Sequence, residues 1–191
     1  MKITLIIVVL VILWSIWGYV GSRVDQTDYS VLEKKKDYEV RNYPAHIVAQ
    51  TTVANTSYRG AMNSGFSIVA RYIFGGNTQK QTIAMTAPVM VGAQGDSRVI
   101  AFGMPRSYTM ETLPTPSDSR VTLREVPVQK MAVHRFSWSR SESRIQAMKD
   151  RLLATLARDG IEIIGSPSYA GYNAPWTPPW MMRNEVLVEV K

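Results

Sequence analysis

Hydrophobic and polar positions divide the chain into an apolar head and a longer stretch of alternating periods. Residues 3–20 read ITLIIVVLVILWSIWGYV, eighteen positions without a charged side chain. As a helix at ~1.5 Å per residue they would span about 27 Å, close to a hydrocarbon core. Trp14, Trp17 and Tyr19 gather toward the C-terminal end, and Lys2 and Arg23 bracket the run, the arrangement of an N-terminal transmembrane helix with interfacial rings. A basic start and apolar run also describe a cleaved signal peptide, with Val20-Gly21-Ser22 as the small-residue site. The bulky rings before that site favour a retained anchor. Residues 1–23 are therefore expected to be a membrane anchor or signal peptide, 24–37 a polar, basic linker, and 38–191 one folded domain. An anchor makes the membrane a partner and the domain periplasmic or external-facing; cleavage makes it periplasmic or secreted.

Beyond residue 37 the period alternates between two and 3.6. Tyr38-Glu39-Val40-Arg41-Asn42-Tyr43 alternates large and polar side chains, Pro44 interrupts, and residues 47–53 resume as a β-branched strand. Tyr58, Ala61, Met62, Gly65, Phe66, Val69, Ala70 and Ile73 then recur at helical spacing, behind Asn55 or Thr56 as N-cap and ahead of Gly75-Gly76. Residues 82–90 and 98–104 read as a hairpin, and the proline-rich 113–118 closes this half. The second half repeats the order. Strands over 121–125 and 128–138 lead to a helix capped by Ser141 or Ser143, with Ile145, Met148, Leu152 and Leu156 on one face and Gly160 at its end. Extended segments over 161–164 and 168–172 follow, then a closing strand over 184–191. The pattern predicts an α+β domain, a pseudo-twofold repeat of strand-helix-strand units with helices over curved antiparallel sheet.

Composition narrows the function. Cysteine is absent, which excludes disulfides, thiolate catalysis and Cys-bound metals. A net charge of +7, from 22 Lys and Arg against 15 Asp and Glu, favours acidic partners such as propionates, phosphates or anionic headgroups. The longest basic run is Lys34-Lys35-Lys36, and no nucleic-acid-binding motif accompanies it, so nucleic acid is not expected as a partner. Nor is catalysis expected, because no nucleophile and base or paired carboxylates stand out. Glu111, Glu125 and Glu185 are isolated along the chain, and only tertiary proximity to Tyr172 or Tyr108 would make a hydrolytic pair.

Two features suit a flat apolar ligand or, equally, simple packing. Met62, Phe66, Val69 and Ile73 form a helical stripe flanked by Asn63 and Arg71; such stripes are core more often than platform, and a solvated arginine is the default. The run Pro175-Trp176-Thr177-Pro178-Pro179-Trp180 cannot enter a sheet interior, and its indoles either wall a pocket or pack on the protein's own surface. His46 and His134 are the two histidines.

Five stretches resemble the SOUL haem-binding family. They are Tyr38-Glu39-Val40-Arg41-Asn42-Tyr43-Pro44-Ala45; Gly65-Phe66 through Tyr72-Ile73-Phe74-Gly75-Gly76-Asn77; Ile83-Ala84-Met85-Thr86-Ala87-Pro88-Val89; Arg124-Glu125-Val126-Pro127; and Gly171-Tyr172-Asn173-Ala174-Pro175-Trp176-Thr177-Pro178-Pro179-Trp180 with Arg183-Asn184-Glu185-Val186. The resemblance implies a distorted antiparallel β-barrel with two flanking helices, similar to the effector-binding domains of bacterial multidrug regulators. It also implies haem or another tetrapyrrole as ligand, in an apolar cleft beside the first helix. Met62, Asn63, Phe66, Val69 and Arg71, with Trp176, Pro178 and Trp180, become the expected contacts, and Arg71 the partner of a propionate. Among animal relatives a histidine can stand where this chain has Asn42, so ligation there is in question. His46 is the candidate axial ligand, with Met62 or Tyr72 as weak alternatives. The expected role is a membrane-tethered carrier, buffer or sensor. The alternative is a module that binds another amphipathic molecule and signals to a protein partner.

Overall fold

The computed structural model describes residues 4, 6, 9, 10, 13–15, 18, 24–54 and 58–191. Among them the chain forms eleven strands: β1 Asp25–Gln26, β2 Ser30–Lys34, β3 Glu39–Tyr43, β4 His46–Ala54, β5 Thr86–Ala87, β6 Val89–Gln94, β7 Ser97–Gly103, β8 Thr122–Val126, β9 Gln129–Phe136, β10 Ile163–Gly171 and β11 Asn184–Val190. Two helices, α1 Tyr58–Ile73 and α2 Glu142–Arg158, pack against them. Nine strands make one antiparallel sheet in the order β2-β3-β9-β11-β10-β6-β7-β4-β8, while β1 pairs in parallel with β5.

From β3 to β8 this order is unchanged when each element of β3-β4-α1-β6-β7 is exchanged for its counterpart in β8-β9-α2-β10-β11. The sheet curls because its distant strands are tied together. Only Pro44 and Ala45 join β3 to β4, and only Pro127 and Val128 join β8 to β9, although the joined strands lie six places apart in the sheet. A connection of two residues cannot cross a flat sheet of ~4.8 Å spacing. The ladder does not close: β2 and β8 are open edges. The expected barrel is thus corrected to a half-barrel.

The expected transmembrane helix over residues 3–20 falls mostly outside the described residues. No helix among the described residues is long and apolar enough to cross a membrane. A span needs about 20 apolar residues, whereas α1 has 16 and α2 has 17, both with charged side chains. Trp14, read as an interfacial ring, instead donates its indole N–H to the Trp176 carbonyl at 2.9 Å and packs on Trp180. The fold is corrected accordingly, and the membrane-anchored, periplasmic or external-facing placement that rested on this helix is withdrawn. The expected N-caps Asn55 and Thr56 also lie outside the described residues.

Residues 24–37, read as linker, carry β1 and β2. β2 is exposed throughout and mixes Glu33 and Lys34 into its sequence, the charged composition by which an edge strand resists pairing with other chains.

Period-two alternation gives the sheet two differently used faces. One face carries Val40, Ala49, Ile100, Phe102, Ala132, Tyr169, Val186 and Val188 into the main core with Val69 and Ile73 of α1 and Ile145, Leu152 and Leu156 of α2. Gly65 lets α1 settle closely, since a Cβ there would lie 2.7 Å from Ile100 Cδ1. Helix α2 begins at Ser141, whose hydroxyl accepts the Arg144 N–H. After α1, Gly75 adopts φ +100 and the buried Asn77 amide donates to the carbonyls of Tyr72 and Gln81, pinning the turn.

Candidate functional site on the concave face

The opposite face collects Tyr43, Met131, Val133, Ala170, Tyr172 and Leu187 in one cluster and Val48, Ala101 and Val126 in another. No helix covers it. A cavity of about 70 Å³ touches residues of β3, β4, β6, β7, β9, β10 and β11, which a single space can do only on the inside of a curl. A larger cavity, of about 550 Å³, opens beside it between residues 24–28, Pro44, His46, Met104 and Arg106.

His46 lines both cavities. It opens β4, where Ile47 and Ala49 turn to the helices and Val48 to the groove, so the alternation puts His46 on the groove side. Its Nδ1 lies 2.9 Å from the Pro44 carbonyl. A carbonyl only accepts, so Nδ1 carries a proton here, and whenever the ring is neutral the lone pair falls on Nε2.

Below the groove lies a buried charge cluster. Glu185, on β11, is fully buried. One of its oxygens accepts from Arg41 Nη1 at 2.9 Å and from the Tyr172 hydroxyl at 2.9 Å, and the other from Arg183 Nε at 2.9 Å. Arg41 also pairs with Glu39 at 2.8 Å and lies over the Tyr29 ring, 4.2 Å from its centre. Burial works against the Arg41 charge, but the hydrogen bond and charge of Glu185 prevail and hold the guanidinium above its usual range. Arg183 behaves alike, stacking 3.7 Å from the centre of the Tyr172 ring. Burial, aided by the Glu185 charge, pushes the Tyr172 phenol up, so it stays protonated as a donor.

The tertiary contact needed for a hydrolytic pair therefore exists, between Tyr172 and Glu185. It is saturated: the phenol proton and both carboxylate oxygens are engaged within the protein, leaving no acceptor aimed at a substrate. Glu111 and Glu125 are exposed.

The other expected ligand contacts are dispersed. Val69 is fully buried in the helix-side core, and Met62 and Phe66 pack partly buried against it, Phe66 5.1 Å from Phe102 between ring centres. Asn63 and Arg71 are exposed. The sheet stands between this stripe and His46, so one flat ligand cannot touch both. Trp176 and Trp180 are exposed on the β10–β11 loop, with Pro178 buried, and Trp180 stacks against Trp138 rather than against α1. His134 contacts the Asp37 carbonyl at 2.6 Å.

Sequence reasoning brought Glu185 together with Tyr172 but missed Tyr43, Met90 and Met131 as groove wall and Arg41 as the second guanidinium on that acid. One signal was available. Glu185 stands directly before the apolar run Val186-Leu187-Val188 of β11, and an acid drawn into a core with such a run requires a buried partner.

A curled antiparallel sheet with helices on one face and a walled hollow on the other defines the architecture: an α+β half-barrel with a hollow of the kind that small molecules occupy. The family model of the SOUL heme-binding protein matches residues 24–189, and the chain belongs to that family. Heme-binding protein 2 of Homo sapiens is 28% identical over 147 residues, covering 72% of this chain and 71% of that protein. Haem binding is thereby supported at the level of the family. Among solved structures, the EcmrR C-terminal domain superposes with a TM-score of 0.64 at 9% identity, over 85% of this chain and 98% of that one. A hydrolase from Listeria innocua gives 0.53 at 13% identity, over 84% and 94%. At these identities the two structures show a shared fold alone.

Proposed function

We propose that the protein binds haem or a related tetrapyrrole on the concave face of its sheet, with His46 turned to the iron, and acts as a carrier, buffer or sensor rather than a catalyst. The observation that carries this reading is His46 itself: it lines both cavities, and its Nδ1 is committed to the Pro44 carbonyl. Metal-bound histidines characteristically donate their second ring N–H in this way, which fixes the ring and leaves Nε2 for the metal. The residues present fit the group. The larger cavity falls within the ~300–1,000 Å³ of small-molecule pockets, Val24, Pro44, Met104 and Pro105 supply apolar wall, and at the rim Arg106 is paired with Asp28, near Asp25. Bound haem supplies a ligand-accepting, redox-active iron; the chain's own residues bind and orient the ring and shield it from water.

Absorbance titration of the full chain with haem tests this, beside His46→Ala. Saturable one-to-one binding, with a Soret band that shifts in His46→Ala, is the expected result. Absence of saturable binding would overturn the proposal, and identical spectra would remove His46 from it. The surface beside α1, with Met62, Asn63, Phe66, Val69 and Arg71, and the loop of Trp176, Pro178 and Trp180 stand as the alternative seat implied by the resemblance.

A further inference from the structure

The two cavities meet at a side chain that does not belong to the large sheet. Thr27 lines both, together with His46 and Gly103. It belongs to residues 24–29, which cross the concave face while making few contacts of their own. β1 is two residues long and pairs only with Thr86 and Ala87, and Asp25, Gln26 and Asp28 are exposed. Further ties among the described residues are the Thr27 N–H to the Ala87 carbonyl at 2.9 Å, an ion pair of Asp28 with Arg106, the packing of Val24 and of Tyr29, whose ring meets Tyr43 and the Arg41 guanidinium, and two bonds from Arg183. Those two run to Gln26 Oε1 at 2.9 Å and to the Tyr29 hydroxyl at 3.2 Å. A short ladder with exposed polar contacts belongs at the low end of local opening free energies. Arg183 itself is held to the sheet by the buried Glu185 and stays when the segment leaves.

We propose that residues 24–29 form a displaceable strap dividing one continuous groove into the two cavities, with Arg183 as its latch. The identity of the ligand rests on the tetrapyrrole reading; the strap's opening does not. With Thr27 in place the inner cavity is about 70 Å³, well below the ~300 Å³ at which small-molecule pockets begin, and no flat ligand enters it. With Thr27 lifted, the aromatic and thioether wall of Tyr43, Tyr172, Met90 and Met131 joins the outer cavity. Arg183 then exchanges two neutral acceptors for one carboxylate of the ligand, a charge-assisted bond about twice as strong as a neutral one. The ligand class is a flat apolar ring bearing an acid at its edge.

The full chain has no cysteine, so a designed pair is the only thiol pair present. A Cβ at Gly103 would lie 3.1 Å from Thr27 Oγ1, close to the separation of about 3 Å between a disulfide sulfur and the far Cβ. Thr27→Cys/Gly103→Cys, oxidised by oxidised glutathione, which takes the two electrons, fastens the strap. The oxidised protein is expected to bind haem at least about tenfold more weakly than the same protein reduced, because the competent state is removed. Equal binding in both states would overturn the strap. Independently, Gln26→Ala/Tyr29→Phe weakens the latch. Hydrogen exchange at Thr27 is expected to outpace that of β11 amides in the wild type and to accelerate further in this variant. Core-like protection of Thr27 would overturn the proposal whether or not haem binds. Failure of the wild type to bind haem would count against the proposed function and leave the exchange result standing.

Discussion

Arg41 reaches across β9 to Glu185: its Nη1 donates to Glu185 Oε2 at 2.9 Å, with the two residues 3% and 0% exposed. Two charges at this depth persist only as partners, since a buried pair gains little net stability but is costly to break. Glu185→Ala leaves Arg41 and Arg183 facing each other without their shared acid, and is expected to cost about 3–5 kcal/mol. Urea denaturation monitored by circular dichroism measures it. A double cycle with Arg41→Ala should fall well short of additive, because the second substitution removes a charge the first had already orphaned. Additive losses would mean that the two residues act separately.

The fit of α1 on the sheet depends on Gly65. A Cβ there would stand 2.7 Å from both Cδ1 and Cγ1 of Ile100, so Gly65→Ala is expected to destabilise by about 1–3 kcal/mol despite its better helix propensity. Ile100→Val removes the nearest methyl. The pair Gly65→Ala/Ile100→Val should therefore be less destabilised than the sum of its parts in thermal melts, and a plain sum would refute the contact.

The legibility of this fold follows the physics of each element. Helix α2 could be read to within two residues of its cap, Ser141 rather than Ser143, because a capping serine and the apolar stripe ending at Leu156 are local signals. β11 could be read because Val186, Val188 and Val190 alternate on one buried face. The half-barrel was less visible, since its curl comes from Pro44-Ala45 and Pro127-Val128 joining strands far apart in the sheet, a pairing that no local pattern encodes. Residues 24–37 read as linker because edge strands use the charged composition of linkers. His46 was singled out by its chemistry, but its separation from Phe66 was not visible, because only the pairing of β4 between β7 and β8 decides which face each residue takes.

Buried phenols set an alkaline limit on stability. Burial pushes Tyr72 and Tyr169 up to about 12, and it raises Tyr43, Tyr58 and Tyr172 as well. In the unfolded chain these groups ionise near pH ~10. Their contribution to stability is therefore complete below about pH 10 and is lost as pH rises from there through the folded values, since the unfolded state alone releases protons. Tyrosinate absorbance of these five should rise together with the loss of circular dichroism. A full tyrosinate rise near pH ~10 with the fold intact would contradict their burial.

Phe66 and His46 provide the decisive separation of the two candidate ligand surfaces. Phe66 lies on α1 against Phe102, on the helix side of the sheet, and His46 lines the cavities of the other side. Phe66→Ala removes a partly buried ring and should lower stability by about 2–3 kcal/mol, below the cost for a fully buried phenylalanine. Haem affinity, measured well below the melting temperature, should stay within about twofold of wild type, as expected for sites with no shared partner. His46→Ala should do the reverse, shifting the haem spectrum and weakening affinity with little change in melting temperature. If Phe66→Ala abolishes binding while His46→Ala leaves it intact, the tetrapyrrole belongs beside α1, and the concave groove with its strap serves another ligand.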